Sequence, residues 1–162
     1  MTSIHTSIDI AKDYLHFGAA HFTLFSATER ENLHGHNFFV AASMTCEVGD
    51  DGLAFDYNII KQALAVLCDS LDEKLLLPEH SPHLAIKRSE QVIEVRFADE
   101  HMTYLPRDVL LLPVRNVTVE ELAGWFLTQL RADPRITELP LTTLDIRVSS
   151  GPGQWAGAHW RA

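Results

Sequence analysis

Apolar and polar positions alternate along residues 13–24, where Leu15, Phe17, Ala19, His21 and Thr23 share one face, the period-two pattern of a half-buried strand. Residues 26–32 are polar and predict a loop. Alternation resumes over 33–48 and places His34, His36, Phe38, Val40, Ala42 and Met44 on one face. Asp50-Asp51-Gly52 predicts a turn. The period then lengthens. Ile60, Leu64, Leu67 and Leu71 recur at helical spacing, which predicts a helix over about 57–71 with Asp56 as its cap. Within 91–97, Ile93, Val95 and Phe97 alternate with Glu94 and Arg96; Asp99-Glu100 is expected to turn the chain and 102–105 to return as a partner strand. Thr118, with Glu121 three residues on, has the form of a capping box ahead of a second apolar stripe of Val119, Leu122, Phe126 and Leu130. Asp133-Pro134 ends that helix. Leu144, Ile146 and Val148 predict a third main strand. Gly151-Pro152-Gly153 predicts a turn, and 154–160 a fourth strand.

The order is β-β-α, a β-rich insertion over 75–113, then α-β-β. Strands grouped around two helices indicate an α+β fold with an antiparallel sheet, the helices on one face. The other face and both edges are left open, and such edges are commonly closed by another chain. A single domain over 1–162 is expected, since 162 residues suit one core.

Composition narrows the function classes. The net charge of −9 disfavours a nucleic-acid surface, and no local basic patch offsets it. A phosphorylated substrate would need local Lys or Arg against that field. No apolar run reaches the roughly 18 residues that cross a bilayer. The opening Met1-Thr2-Ser3-Ile4-His5 lacks a secretory pattern and two cysteines are too few for a disulfide framework, so a cytoplasmic location is expected.

The candidate chemistry lies in His34-Gly35-His36. Two His at i and i+2 on a strand point to the same face. His21, one strand upstream, would complete three nitrogens, the ligand set of a catalytic zinc with an open fourth position. The pair alone also fits a solvated strand.

Six segments carry a resemblance to a known family: Phe17-Gly18-Ala19-Ala20-His21, Leu33-His34-Gly35-His36-Asn37-Phe38, Phe55-Asp56-Tyr57 through Lys61, Leu71-Asp72, Asn116-Val117-Thr118-Val119-Glu120 and Pro152-Gly153-Gln154. In this order they resemble the 6-pyruvoyl-tetrahydropterin and 6-carboxy-tetrahydropterin synthases of the tunnelling fold. The resemblance implies a four-stranded antiparallel sheet with two helices, subunits assembled as trimers or hexamers, and an active site between subunits. It also implies Zn2+ on His21, His34 and His36, and a lyase reaction on a reduced pterin such as 7,8-dihydroneopterin triphosphate. Thr118 and Glu120 match positions near the family's pocket. Thr118 is equally a helix cap, and Glu120 stands where a helix N-terminus favours any acid.

Three positions depart from the pattern. Arg30 stands where most members carry a catalytic Cys. Glu73 follows Asp72 where His is usual, and Ser150 replaces a Glu that anchors the pterin ring. Cys46, inside a strand, reads as a small buried hydrophobe. Arg30-Glu31-Asn32-Leu33-His34 resembles a subgroup in which Glu replaces Cys, as does Leu75-Leu76-Leu77-Pro78 with the insertion after it. That subgroup is linked to 6-hydroxymethyl-dihydropterin. Glu31 is thus the candidate general base, provided desolvation raises its pKa; a solvated loop carboxylate is the plainer reading. Asp72 and Glu73 are the other catalytic candidates, and Thr118, Glu120 and Ser150 the substrate-binding ones. Two alternatives stay open: a catalytically altered homologue binding a different pterin- or purine-like ligand, and an enzyme with a new substrate. Among the remaining histidines, His159 lies closest to the last turn.

Overall fold

The computed structural model describes residues 5–162, so the first four residues of the expected 1–162 unit, and most of the polar N-terminal stretch, lie outside it. Strand β3 (His34–Glu47) is the spine of the main sheet. Its first half pairs antiparallel with β2 (His16–His21) and its second half with β1 (His5–Ile10). Along its other edge runs β9 (Leu141–Gly151), which pairs with β10 (Gln154–Arg161). Helices α1 (Asn58–Leu71) and α2 (Val119–Ala132), the latter followed by the short α3 (Pro134–Thr137), cover one face. Ile60, Leu64, Leu122, Phe126 and Leu130 pack there against Phe17, Phe38, Val40, Ala42, Leu144, Ile146 and Val148. The α+β class, the two covering helices and the β-rich insertion are as expected.

The strand count differs. Among the described residues the main sheet has seven strands, not four. β1 begins eight residues before the expected first strand, because Ile8 and Ile10 add to the same apolar face. Two parallel strands, β4 (Lys74–Pro78) and β8 (Val109–Leu112), extend the sheet beyond β2. The β2 edge is therefore partly closed by this chain itself.

Between β4 and β8, strands β5 (Ala85–Arg88), β6 (Ile93–Phe97) and β7 (Glu100–Tyr104) form a separate antiparallel sheet. Its tight turn is Ala98-Asp99, one residue earlier than expected, with Ala98 at φ 50°. Ile93, Val95 and Phe97 are buried as the alternation predicts. They join Phe22, Leu24, Leu75, Leu77 and Val109 in a second hydrophobic cluster. Among the described residues no helix is long and apolar enough to cross a membrane.

Both caps differ in detail. Asp56 accepts from the Asn58 amide at 2.9 Å, but the helix begins one residue later than expected. Thr118 caps α2 through the Glu121 amide at 3.3 Å. The Glu121 carboxylate does not complete the box; it binds the Arg115 amide at 3.0 Å and the guanidinium at 2.6 Å.

Phe126 is fully buried and tilted against Phe17 at 5.9 Å between ring centroids. A Phe126→Ala variant should lose about 3–5 kcal/mol, read as a lowered denaturant midpoint.

Candidate metal centre and adjoining pocket

The β2–β3 register sets His21 directly opposite His34, and Ala19 opposite His36. All three imidazoles therefore lie on the helix-covered face, at the end where β2 leaves the sheet. One ligand nitrogen from each falls within 4.8 Å of the others. His34 Nε2 and His36 Nε2 are 3.0 Å apart.

Backbone carbonyls orient two of the rings. His21 Nδ1 donates to the Val117 carbonyl at 2.9 Å, and His34 Nδ1 to the Asn32 carbonyl at 2.7 Å. A carbonyl only accepts, so these bonds put the proton on Nδ1 and leave Nε2 with its lone pair when the ring is neutral. His21 Nε2 is buried and has no hydrogen-bond partner. A buried nitrogen with a free lone pair, beside two more converging imidazoles, fits a three-nitrogen metal site. Burial holds His21 below the ordinary imidazole range. His34 and His36 push the same way, against the Val117 bond and Glu31. The ring is thereby kept in the neutral form that ligation requires.

The Val117 carbonyl is aimed by Asn116. Its Oδ1 accepts from the amides of Leu24 and Val117, both at 3.1 Å, and its Nδ2 donates to the Leu24 carbonyl at 2.8 Å. This side chain ties the entry of α2 to the chain just beyond His21.

Glu31 stands beside the cluster. Its Oε2 accepts from the Thr23 amide at 3.0 Å and lies 3.8 Å from His34 Nε2. Partial burial raises its pKa, as expected. The Thr23 hydrogen bonds and the charges of His34 and His21 outweigh that, so the net shift is downward. The expectation of a raised pKa is thus corrected: hydrogen bonds to the ionised form win over desolvation.

A cavity of about 270 Å³ opens here, lined by His21, His36 and Glu31 together with Thr118, Glu120 and Ser150. Five of the proposed groups from distant segments thus meet at one cavity with Glu31. Gln154 also lines it and donates to Ser150 Oγ at 2.8 Å. Its place follows from the β9–β10 hairpin, which the Gly151-Pro152-Gly153 turn signals, but no side-chain role was legible. Asp72 and Glu73 lie elsewhere. Asp72 Oδ1 accepts from the Gly18 amide at 2.6 Å, and the Glu73 amide donates to the Gly18 carbonyl at 2.7 Å. Glu73 lines a second depression with Gly35, Asn37 and Lys74. Arg30, at the position usual for Cys, turns away from the cavity towards Phe22 and Glu100. His159 is bound to Asp145 at 2.7 Å, away from the cavity. Neither cysteine lines the cavity. Cys46 is buried, and burial, aided by Asp69 and Asp72, pushes the Cys68 thiol up to about 12.

The α+β sheet gathers three imidazoles beside a cavity that Glu31 and Glu120 line at the N-terminus of α2, and the family match puts this arrangement among pterin-processing enzymes. Residues 9–159 match the family model described as 6-pyruvoyl tetrahydropterin synthase, and the chain belongs to that family. It is 31% identical over 149 residues to a Methanocaldococcus jannaschii protein provisionally named a 6-carboxy-5,6,7,8-tetrahydropterin synthase, covering 91% of this chain and 90% of that one. The 6-pyruvoyltetrahydropterin synthase of Plasmodium vivax superposes with a TM-score of 0.91 at 26% identity, over 98% of this chain and 99% of its own. The Plasmodium falciparum enzyme gives 0.90 at 28%, with the same coverage. The P. vivax enzyme has also been solved with a catalytic glutamate replaced by alanine.

Asn116→Ala would leave the Leu24 amide and carbonyl without their partner. It should cost about 1–3 kcal/mol, measured by chemical denaturation.

Proposed function

We propose that this protein is a zinc-dependent lyase acting on a reduced pterin such as 7,8-dihydroneopterin triphosphate, with Glu31 as general base. The observation that carries this reading is the Glu31 carboxylate, 3.8 Å from His34 Nε2 and facing the cavity that His21 and His36 share. His21, His34 and His36 are the proposed zinc ligands. Zinc bound there would supply Lewis-acid polarisation of a substrate side-chain oxygen, which acidifies that hydroxyl. Glu31 would accept, at its carboxylate, the proton of the side-chain hydroxyl beside the carbon–carbon bond that breaks; an aldehyde carrying the triphosphate leaves, and Glu31 returns the proton to the carbon that stays on the ring. The Thr23 amide holds that carboxylate in place throughout. The P. vivax relative, whose catalytic residue is a glutamate, supports the role.

In the same cavity, Glu120 offers a carboxylate to the paired N–H donors of a pterin edge. Thr118 supplies a hydroxyl beside it, and Ser150 a hydroxyl buttressed by Gln154. No Lys or Arg lines this cavity among the described residues. A triphosphate would therefore extend beyond this chain's own wall, which supports a homo-oligomer, trimer or hexamer, with the site between subunits. Asp72 and Glu73 would act in a neighbour's site in such an assembly. A cytoplasmic location is part of the same reading.

One observation favours a second reading. Ser150 and Gln154 present a neutral, mutually bonded pair to the ligand, where an anchoring carboxylate would suit the pterin better. A catalytically altered homologue that binds a different pterin- or purine-like ligand would use such a pair.

Incubation of the zinc-loaded protein with 7,8-dihydroneopterin triphosphate, followed by mass spectrometry, separates the two. Release of 6-hydroxymethyl-dihydropterin is expected; absence of any product with zinc bound would favour the binding protein. Glu31→Gln should keep its zinc and lose about 10²–10⁴-fold in kcat. In thermal unfolding, free zinc at about a hundred times its Kd should stabilise the protein by about 2.7 kcal/mol. His36→Ala should abolish most of that gain.

A further inference from the structure

Arg30 takes no part in the chemistry above, yet its side chain is only 17% exposed. Its guanidinium lies 4.9 Å from the centre of the Phe22 ring and 5.9 Å from that of Phe97. Nε donates to Glu100 Oε2 at 2.6 Å, and Nη1 donates to the backbone carbonyl of Glu31 at 2.8 Å. Phe97 and Glu100 are opposed residues at the tip of the β6–β7 hairpin. One side chain thus runs from the hairpin tip to the residue proposed as base.

Glu31 is held at three points. Its amide donates to the Thr23 carbonyl at 2.9 Å, and its carboxylate accepts from the Thr23 amide. Both bonds come from one residue of the neighbouring segment. The third, at the carbonyl, comes from Arg30, whose own position is set by the hairpin. A planar fork that donates in two directions at once is specific to Arg; Lys, a single point charge, cannot reproduce it.

We propose that Arg30 and Glu100 are positioning residues that fix Glu31, so that the β6–β7 hairpin of the insertion serves catalysis without touching substrate. The proposal rests on the reading of Glu31 as base. It assigns the insertion a task beyond extending the sheet: the hairpin supplies the counter-charge and the aromatic wall that hold Arg30 still. Small displacements of a reacting group are costly in rate while leaving the binding surface intact.

The test uses the full-length zinc-loaded protein with Arg30→Met, Glu100→Gln and the double variant. Met keeps an apolar chain between the two phenyl rings, and Glu100 is at the surface, so the second variant guards against failure of the first to fold. Deuterium exchange over 23–33 is measured beside kcat, KM and bound zinc. Exchange over this segment should quicken in both single variants, with zinc content unchanged. Arg30→Met should lower kcat by about 10- to 100-fold with KM nearly constant, and Glu100→Gln should lower it less. The double variant should be no worse than Arg30→Met alone, because Glu100 acts through Arg30. Unchanged exchange, a rise in KM at constant kcat, or additive losses would overturn the proposal. A wild-type protein without turnover would instead defeat the assignment of Glu31 as base, and the exchange measurement alone would then decide whether Arg30 and Glu100 hold the loop.

Discussion

The cross-strand register of β2 on β3 governs both the core and the site. Phe17 stacks on Phe38 at 5.0 Å beneath the helices, and four pairs further along His21 faces His34. Side chains alternate with a period of two, so a slip of one residue would bury the wrong set and send the imidazoles to the opposite face. The energy that prevents such a slip is hydrophobic and comes from the side chains packed under α1 and α2. The arrangement of the three imidazoles is thus held by the hydrophobic core, from which Phe38 meets the His21 and His36 rings edge-on at 5.5 and 5.6 Å between centroids. The same packing presses the start of α2 against β2, where the Val117 carbonyl meets His21.

Much of this was legible in the residues. The two-residue period around His21, His34 and His36 predicted their common face, and the helical stripes predicted both helices. β4 was not legible for a physical reason. Leu76 belongs to the main core while Leu75 and Leu77 belong to the second cluster. A strand buried on both faces shows an unbroken apolar run and no alternation to detect. β1 is the opposite case, with few apolar residues and most of its length exposed or half-buried. Glu31 could be found from its spacing to His34, but the direction of its pKa shift could not. That direction is a balance between burial and hydrogen bonds which only the folded geometry sets. Arg30 and Glu100 lie seventy positions apart, and an ion pair at that range leaves no local mark.

The insertion is joined to the rest of the molecule through its apolar residues as well as its strands. Phe22 and Leu24, which follow His21 directly, bury their side chains in the second cluster with Ile93, Val95 and Phe97. The loop carrying Glu31 is therefore bounded by the β6–β7 hairpin on one side and by the strands that carry the three imidazoles on the other. Asn116 closes the third side by bonding to both backbone groups of Leu24. An exposed, polar stretch of chain gains a defined shape from neighbours that are each part of a packed cluster.

The three imidazoles fall within sixteen consecutive residues, 21 to 36, whereas the carbonyl that orients the first of them lies 96 positions further on. This separation has a meaning in time. A chain growing on the ribosome exposes all three donors early, long before Val117 and α2 exist to choose the tautomer of His21 or to roof the cavity. The tautomer of His21 is thereby chosen only after half the chain has followed the last of the three imidazoles.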